Sequence, residues 1–227
     1  MMPWRVVIDR GLSGASQMAR DAGLASGQEV EPTVRLFTWD PPAVSLGWKQ
    51  PRPAWLTGSP EPVCEVVERP TGGGIAFHGT DVSMAIIVPR TMRPSLDQLM
   101  ADVCQSAAMV CELFGAAATW AVEACHTGRI TYCLAEASPY AVYLGGRKVA
   151  GFALRRYPQT WLVQGSLLVR PLSETIRRMI PAAVMEQLVT HAISLSEAAG
   201  RTIAEEDVIR AWAEPWTATA CADLVVS

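Results

Sequence analysis

The chain has 227 residues, of which 50% are hydrophobic and 18% are charged, and its formal net charge is -3. This length and composition predict one soluble globular domain over residues 1–227, with a core of ordinary size. The chain carries no basic stripe that could neutralise phosphates, so we do not expect nucleic acid as a partner.

The N-terminus and the cysteines bear on the cellular compartment. The first residues, MMPWRVVIDRG, lack the basic and apolar regions of a signal peptide, and no apolar run reaches membrane-spanning length. We therefore expect a cytoplasmic protein with no membrane partner. The six cysteines show no CxxC spacing. Most should be reduced core residues, and one is a candidate for chemistry.

The first part of the chain predicts one helix followed by short strands. Residues 13–27 carry small and apolar side chains at helical spacing, namely Ala15, Met18, Ala19 and Ala22, between a Ser13 N-cap and a Gly27 stop. Segments rich in β-branched and aromatic residues, bounded by Pro and Gly, predict strands at 34–39, 43–48, 63–68 and 81–89.

The rest of the chain predicts a long helix, more strands and C-terminal helices. Residues 95–115 begin with the capping box Ser95 and Gln98 and carry one apolar face, formed by Leu96, Leu99, Met100 and Val103. Strands follow at 118–123, 140–154 and 160–169, and the pair Gly145-Gly146 predicts a two-residue hairpin. The final predicted helices cover residues 173–180, 183–200 and 204–213.

A run of three glycines, Gly72, Gly73 and Gly74, lies between two predicted strands. Dinucleotide-binding folds and P-loops need a helix N-terminus after such a run, so neither is expected. Bare amide groups here could instead hold a carbonyl, a carboxylate or a single phosphate, with Arg69 adding a fork of donors. A tight hairpin with glycines at positive φ is the purely structural alternative.

Two motifs in order resemble a known superfamily. RPTGGGIAFHGTD resembles the glycine-rich motif of lipoate-protein ligases, biotin-protein ligases and protein octanoyltransferases, and GGRKVAGFALRR with QGSLLV resembles their lysine-bearing hairpin. RLFTWDPPAVSLGWKQ and SLSEAAGRTIAEEDVIRAW extend the similarity over nearly the whole chain. The resemblance implies an α+β fold of the class II synthetase and biotin-protein-ligase type, with a mixed β-sheet flanked by helices. Such a fold holds a carboxylic acyl group for transfer to a lysine.

The segment ITYCLAEASPYAVYLGGRK resembles the cysteine-dependent octanoyltransferases. The resemblance implies that Cys133 takes an octanoyl group from the thioester of acyl carrier protein, with Lys148 favouring the thiolate and serving as acid-base group. The acceptor would be a lysine of a lipoyl domain or of the glycine-cleavage H protein, in lipoate assembly. This route needs no metal and no nucleotide cofactor.

The same resemblance assigns substrate binding to residues of both motifs: Arg69, Thr71, Gly72, Gly73, Gly74, His78 and Gly151. The residues by themselves allow simpler roles. Cys133 can be one of six buried thiols, Lys148 a surface lysine, and His78 a partner of a backbone carbonyl.

Other candidate features concern metal binding and the acyl pocket. Cys125, His126 and Cys133 lack the paired spacing of zinc ligands, so no metal site is expected. Three tryptophans are candidates to line an acyl tunnel: Trp39, Trp48 and Trp161.

The chain also departs from the family pattern, in which GSAQRR and then HGS are usual. It carries Phe152, Leu154 and Gln164 at these places, which would narrow the acyl pocket or shift the substrate. Two other functions stay open. One is an ATP- and magnesium-dependent lipoate ligase that holds an acyl-adenylate, and the other is a non-catalytic protein that binds a lipoyl domain or an acyl chain.

Overall fold

The structure is a computed structural model that describes residues 4–27, 31–57, 64–92, 95–121 and 130–217. Its strands are β1 (Arg5–Asp9), β2 (Thr33–Phe37), β3 (Ala43–Leu46), β4 (Glu65–Glu68), β5 (Ala76–His78), β6 (Asp81–Pro89), β7 (Ala118–Ala121), β8 (Ala141–Leu144), β9 (Arg147–Arg156) and β10 (Thr160–Leu168). Its helices are α1 (Gly14–Ser26), α2 (Ala54–Thr57), α3 (Leu96–Leu113), α4 (Glu174–Met179), α5 (Ala182–His191), α6 (Leu195–Ala199) and α7 (Glu205–Thr217).

The strands form two sheets. Seven of them build a large sheet in the order β1-β2-β6-β10-β9-β8-β7, in which β1 and β2 are parallel and the other neighbours are antiparallel. The small sheet has the order β4-β3-β5, with β3 parallel to β4 and antiparallel to β5. The predicted α+β class with a mixed sheet is confirmed, although the strands divide between two sheets.

Helices cover the sheets and bury most of the apolar residues. The largest buried cluster joins the large sheet to α3 and α7 and includes Met100 and the fully buried Trp212. A second cluster lies between the small sheet and α4 and α5, around Phe77 and Leu188. None of the described helices combines the length and apolar character needed to cross a lipid bilayer.

Local sequence signals predicted α3 and the β8–β9 hairpin correctly. Leu99, Met100 and Val103 of α3 are buried, and the Ser95 side chain accepts a hydrogen bond from the Gln98 amide. The hairpin turns at Gly145-Gly146, with φ angles of 56° and 79°. Both features depend on side chains close together in sequence, which explains why they were predictable.

The predicted helix α1 is confirmed with its Ser13 cap, but its apolar residues do not mark its buried face. Ala15 and Ala19 are exposed, whereas Gln17 and Asp21 are fully buried beside Met18. The reason is a buried arginine in the sheet. Arg35 of β2 donates hydrogen bonds to the side chains of Asp21 and Gln17, so the polar face of α1 turns inward.

The predicted helix 183–200 is also wrong, because the chain breaks into α5 and α6. Between them, the Ile193 amide donates to the Lys148 carbonyl at 3.0 Å, so this link runs beside β9. Ser194 then starts α6 in a capping box with Glu197. Strand β1, which sequence analysis did not predict, is added through parallel pairing with β2.

Candidate active site

A cavity of about 320 Å³ lies between the two sheets, a size suited to a small ligand or acyl group. Its lining includes the glycine run 72–74, Cys133, Gly151 of β9 and Ser45 of β3. The structure therefore brings the glycine motif, the cysteine segment and the lysine-bearing hairpin to one place.

Two of the three glycines meet a requirement that other residues would not, whereas the first does not. Gly73 has a φ of 96°, a conformation that L side chains rarely adopt. A Cβ on Gly74 would lie 2.8 Å from the Thr131 carbonyl carbon, whereas a Cβ on Gly72 would meet no described atom within 4 Å. The backbone that approaches Gly74 therefore belongs to the segment that leads to Cys133.

Backbone hydrogen bonds hold this cysteine segment against the glycine run. The Ile75 amide donates to the Thr131 carbonyl at 2.7 Å, and the Cys133 amide donates to the Ile75 carbonyl at 2.8 Å. These bonds fix the position of Cys133 relative to the glycines, although the two segments lie far apart in sequence.

We predict that the two neighbouring glycines respond differently to substitution. Gly73→Ala should lower the free energy of unfolding by about 1–2 kcal/mol, because alanine resists the left-handed conformation. Gly72→Ala should change it by about 0.5 kcal/mol or less, since its φ is not positive and the site is open. Urea unfolding of both variants checks this, and equal losses would contradict the assignment.

Arg69 holds the glycine run through hydrogen bonds to its backbone carbonyls. Its Nη2 donates to the carbonyls of Gly72 and Gly74 at 2.8 and 2.7 Å, and its Nη1 donates to Ser45. Burial lowers the pKa of Arg69, while the nearby Cys133 acts in the opposite direction. The donors of the guanidinium are therefore used inside the protein, on the loop carbonyls and on Ser45.

Lys148 lies beside Cys133 and is only 1% exposed, so its interpretation as a surface lysine is wrong. Its Nζ donates to the Cys133 carbonyl and the Ser138 hydroxyl, each at 2.6 Å, and to the Glu136 carbonyl at 3.2 Å. Burial lowers the pKa of Lys148, while Cys133 and Glu136 oppose this shift.

Gly151 keeps the space between the lysine and the cysteine open. A Cβ there would lie 3.2 Å from Cys133 Sγ and 3.3 Å from Lys148 Nζ. The thiol and the ammonium therefore border the same small space, and any larger residue at 151 would intrude on both.

The other described cysteines differ from Cys133 in their surroundings. Cys104 and Cys111 are buried, and burial raises the pKa of each thiol to about 12. Burial also raises the pKa of Cys64. Cys133 is half-buried and is the described cysteine that lines the cavity. Cys125 and His126, considered above as zinc ligands, lie outside the described residues.

The catalytic-domain family of lipoyl protein ligases A and B matches residues 15–216. The chain belongs to this family. An octanoyltransferase LipM of Symbiobacterium thermophilum is 30% identical over 230 residues, which cover 93% of this chain and 81% of that protein. The superfamily expected from the two motifs is thereby confirmed.

Solved structures agree on the fold of this lipoyl ligase family. A Thermoplasma acidophilum protein assigned as a lipoate protein ligase, with bound lipoic acid, gives a TM-score of 0.73 at 13% identity, over 95% of this chain and 84% of that one. The biotin protein ligase of Aquifex aeolicus gives a TM-score of 0.53 at 11% identity, over 99% of this chain and 70% of that one.

Thr71 and His78, two further predicted binding residues, form hydrogen bonds with other side chains of the protein. The Thr71 hydroxyl donates to Gln164 Oε1 at 2.8 Å, and Gln164 Nε2 donates to Asp21 at 2.6 Å. His78 contacts Asp81 and Ser45 through its two ring nitrogens, so the simpler alternative of a bond to a backbone carbonyl is wrong.

The residues that depart from the family pattern contact different parts of the protein. Phe152 packs against Trp212 with ring centroids 6.3 Å apart, and Leu154 packs against the same α3 and α7 cluster. Both residues still contribute to the cavity lining. Gln164 lies toward α1, where it joins the cavity wall to the buried Asp21.

Of the three tryptophans considered for an acyl tunnel, Trp39 lines the described cavity. Trp48 is 46% exposed, between the cationic groups of Lys49 and Arg155. Trp161 packs near Arg90 at the edge of the main core. The apolar lining of the cavity comes from Trp39 together with residues that sequence analysis did not assign to a pocket, namely Met18, Phe37 and Met84.

Proposed function

We propose that this chain is a protein octanoyltransferase of lipoate biosynthesis that works through an octanoyl thioester on Cys133. The predicted class of enzyme and the octanoyl transfer are confirmed by relatives named octanoyltransferase LipM. The donor in this proposal is octanoyl-acyl carrier protein. The acceptor is a lysine of a lipoyl domain or of the glycine-cleavage H protein.

The observation that carries the proposal is a pair of buried cations near Cys133. Arg69 and Lys148 are 8% and 1% exposed, and among the described residues no carboxylate lies within salt-bridge distance of either, although Glu136 favours the charged form of Lys148 from farther away. Burying such charges is costly unless an anion compensates them. A Cys133 thiolate, or the oxyanion of its acyl intermediate, would supply that negative charge.

The first half-reaction forms the acyl-enzyme. The Cys133 thiolate attacks the carbonyl carbon of the donor thioester, and the resulting tetrahedral oxyanion collapses with departure of the carrier thiolate. Backbone amides of the 72–74 run stabilise the oxyanion, a contribution of about 3 kcal/mol per donor in other enzymes. One thioester is exchanged for another, so the step needs no external energy source.

The second half-reaction transfers the octanoyl group to nitrogen. The acceptor amine attacks the Cys133 thioester, an amide bond forms, and the Cys133 thiolate leaves. The attacking amine must lose a proton. In this proposal Lys148 accepts it, having given its own proton to the departing carrier thiolate in the first half-reaction. Burial lowers the pKa of Lys148, which makes its neutral, proton-accepting form more available.

We predict that transfer from octanoyl-acyl carrier protein to a lipoyl domain needs neither ATP nor magnesium, because a thioester donor is already activated. The measurement is the mass of the lipoyl domain after incubation with enzyme and donor, with and without ATP and EDTA. A requirement for ATP plus free octanoate, with no use of the carrier thioester, would replace this proposal with the lipoate ligase. Binding without any transfer would indicate the non-catalytic protein.

A further inference from the structure

A continuous hydrogen-bonded chain leads from a buried carboxylate to the glycine run. His78 Nδ1 lies 2.8 Å from Asp81 Oδ2, and His78 Nε2 lies 2.8 Å from Ser45 Oγ. Arg69 Nη1 donates to Ser45 Oγ at 3.1 Å, and Arg69 Nη2 continues to the glycine carbonyls. Asp81, His78, Ser45 and Arg69, called the brace below, are all buried.

The contacts allow one consistent assignment of donors and acceptors in the brace. A carboxylate only accepts, so His78 donates from Nδ1 to Asp81, and in the neutral tautomer its Nε2 accepts. The Ser45 hydroxyl then donates to Nε2, and its oxygen accepts from Arg69. With this assignment every hydrogen bond of the brace has one donor and one acceptor.

The far end of the brace is itself held firmly. The Gly79 amide donates to Asp81 Oδ1 at 3.0 Å, and the Ser83 hydroxyl donates to Asp81 Oδ2 at 3.1 Å. Trp39 donates to Ser83 and stacks on the His78 ring with centroids 3.9 Å apart. With both ring nitrogens used and one face covered, His78 is poorly placed to bind an acyl group directly.

The brace also holds Arg69 without placing a carboxylate in direct contact with its guanidinium. Asp81 is the carboxylate connected to Arg69, but His78 and Ser45 separate the two. A carboxylate in direct contact with Arg69 would compete with a thiolate for the same positive charge. The separation leaves the positive charge of the guanidinium without a directly bonded carboxylate, while its Nη donors remain bonded to Ser45 and the glycine carbonyls.

We propose that Asp81, His78 and Ser45 are positioning residues that hold Arg69. Held in this way, the guanidinium fixes the glycine run and faces the anion formed at Cys133. This inference rests on the proposed function. His78 thereby acts on the reaction through Ser45 and Arg69, and the substrate-binding role predicted for it is replaced by a supporting one. Loss of the Ser45 hydroxyl should loosen Arg69, and small displacements of catalytic groups are costly in rate.

The test compares Ser45→Ala and Ser45→Thr with the parent. The first readout is the rate at which iodoacetamide alkylates Cys133 at pH 7, which reports thiolate reactivity and needs no octanoyl donor. The second is octanoyl-adduct formation at saturating octanoyl-acyl carrier protein. Ser45→Ala should slow both by about 10- to 100-fold, and Ser45→Thr, which keeps the hydroxyl, should restore most of the rate.

A matched control separates positioning from stability. Ser106→Ala removes another internal hydrogen bond, from Trp212 on the far side of the large sheet, and should lower the thermal midpoint without changing either rate. His78→Gln serves as a second variant if Ser45→Ala folds poorly, and it should slow both reactions as Ser45→Ala does.

Two results would overturn the inference. One is parent-like alkylation and adduct rates in Ser45→Ala and His78→Gln with only a lower thermal midpoint. The other is an octanoyl adduct on Ser45 in a Cys133→Ala protein, because the brace would then activate a serine nucleophile. If the parent is alkylated normally but forms no octanoyl adduct, the proposed function fails while the alkylation arm still tests the brace.

Discussion

Cys133→Ala is expected to form no octanoyl adduct and to lose essentially all transfer while folding normally. The side chain is small and half-buried, so replacing its thiol with a hydrogen should cost little packing energy. It also lies on the cavity wall beside Lys148, where the acyl group must be received. The measurement is the intact mass of the protein after mixing with octanoyl-acyl carrier protein, beside its circular dichroism spectrum.

Cys111→Ala is the matched control for this experiment. Cys111 is buried in α3, away from the cavity lining, and burial raises its pKa to about 12. Its replacement should lower stability slightly and leave the adduct unchanged. Full transfer by Cys133→Ala would refute the nucleophile and assign the chemistry to direct amine attack or to adenylation.

Lys148→Met is expected to reduce transfer by at least about 100-fold, because it removes the acid-base group. It also removes the ammonium that favours the thiolate. Adduct formation should therefore be slower than in the parent, and it should partly recover at high pH, where the thiol loses its proton to solvent. Attack by the acceptor amine should not recover to the same degree. Arg147→Met, which removes the neighbouring positive charge, should keep parent-like transfer.

The same variant should change how stability depends on pH. In the parent, the pKa of Lys148 is lower in the folded protein than its ordinary value of 10.5. Between the lowered pKa and 10.5 the unfolded chain binds more protons, so the parent gains stability with rising pH. Lys148→Met should lack this gain, whereas Arg147→Met should retain it. Urea unfolding at several pH values checks the difference, and parallel curves for parent and Lys148→Met would contradict it.

Local patterns made much of the architecture predictable. The capping residue and apolar face of α3 lie within a few turns, and the β8–β9 turn depends on two adjacent glycines. Failures occurred where distant contacts compete with local preference. Ile193 follows a helical pattern, yet its amide binds the Lys148 carbonyl, which ends α5 early. The polar face of α1 is buried because Arg35 requires partners inside the sheet.

Sequence by itself determined the family, the approximate order of elements, and the residues that carry the proposed chemistry, because two specific motifs occur in order along the chain. Only the tertiary structure decided what surrounds those residues. Three features depend on segments that are not neighbours in sequence. They are the burial of Lys148, the approach of Thr131 to Gly74, and the hydrogen-bonded path from Asp81 through Ser45 to Arg69. Burial and hydrogen-bond partners depend on the packing of all these segments together, and no local pattern encodes that packing.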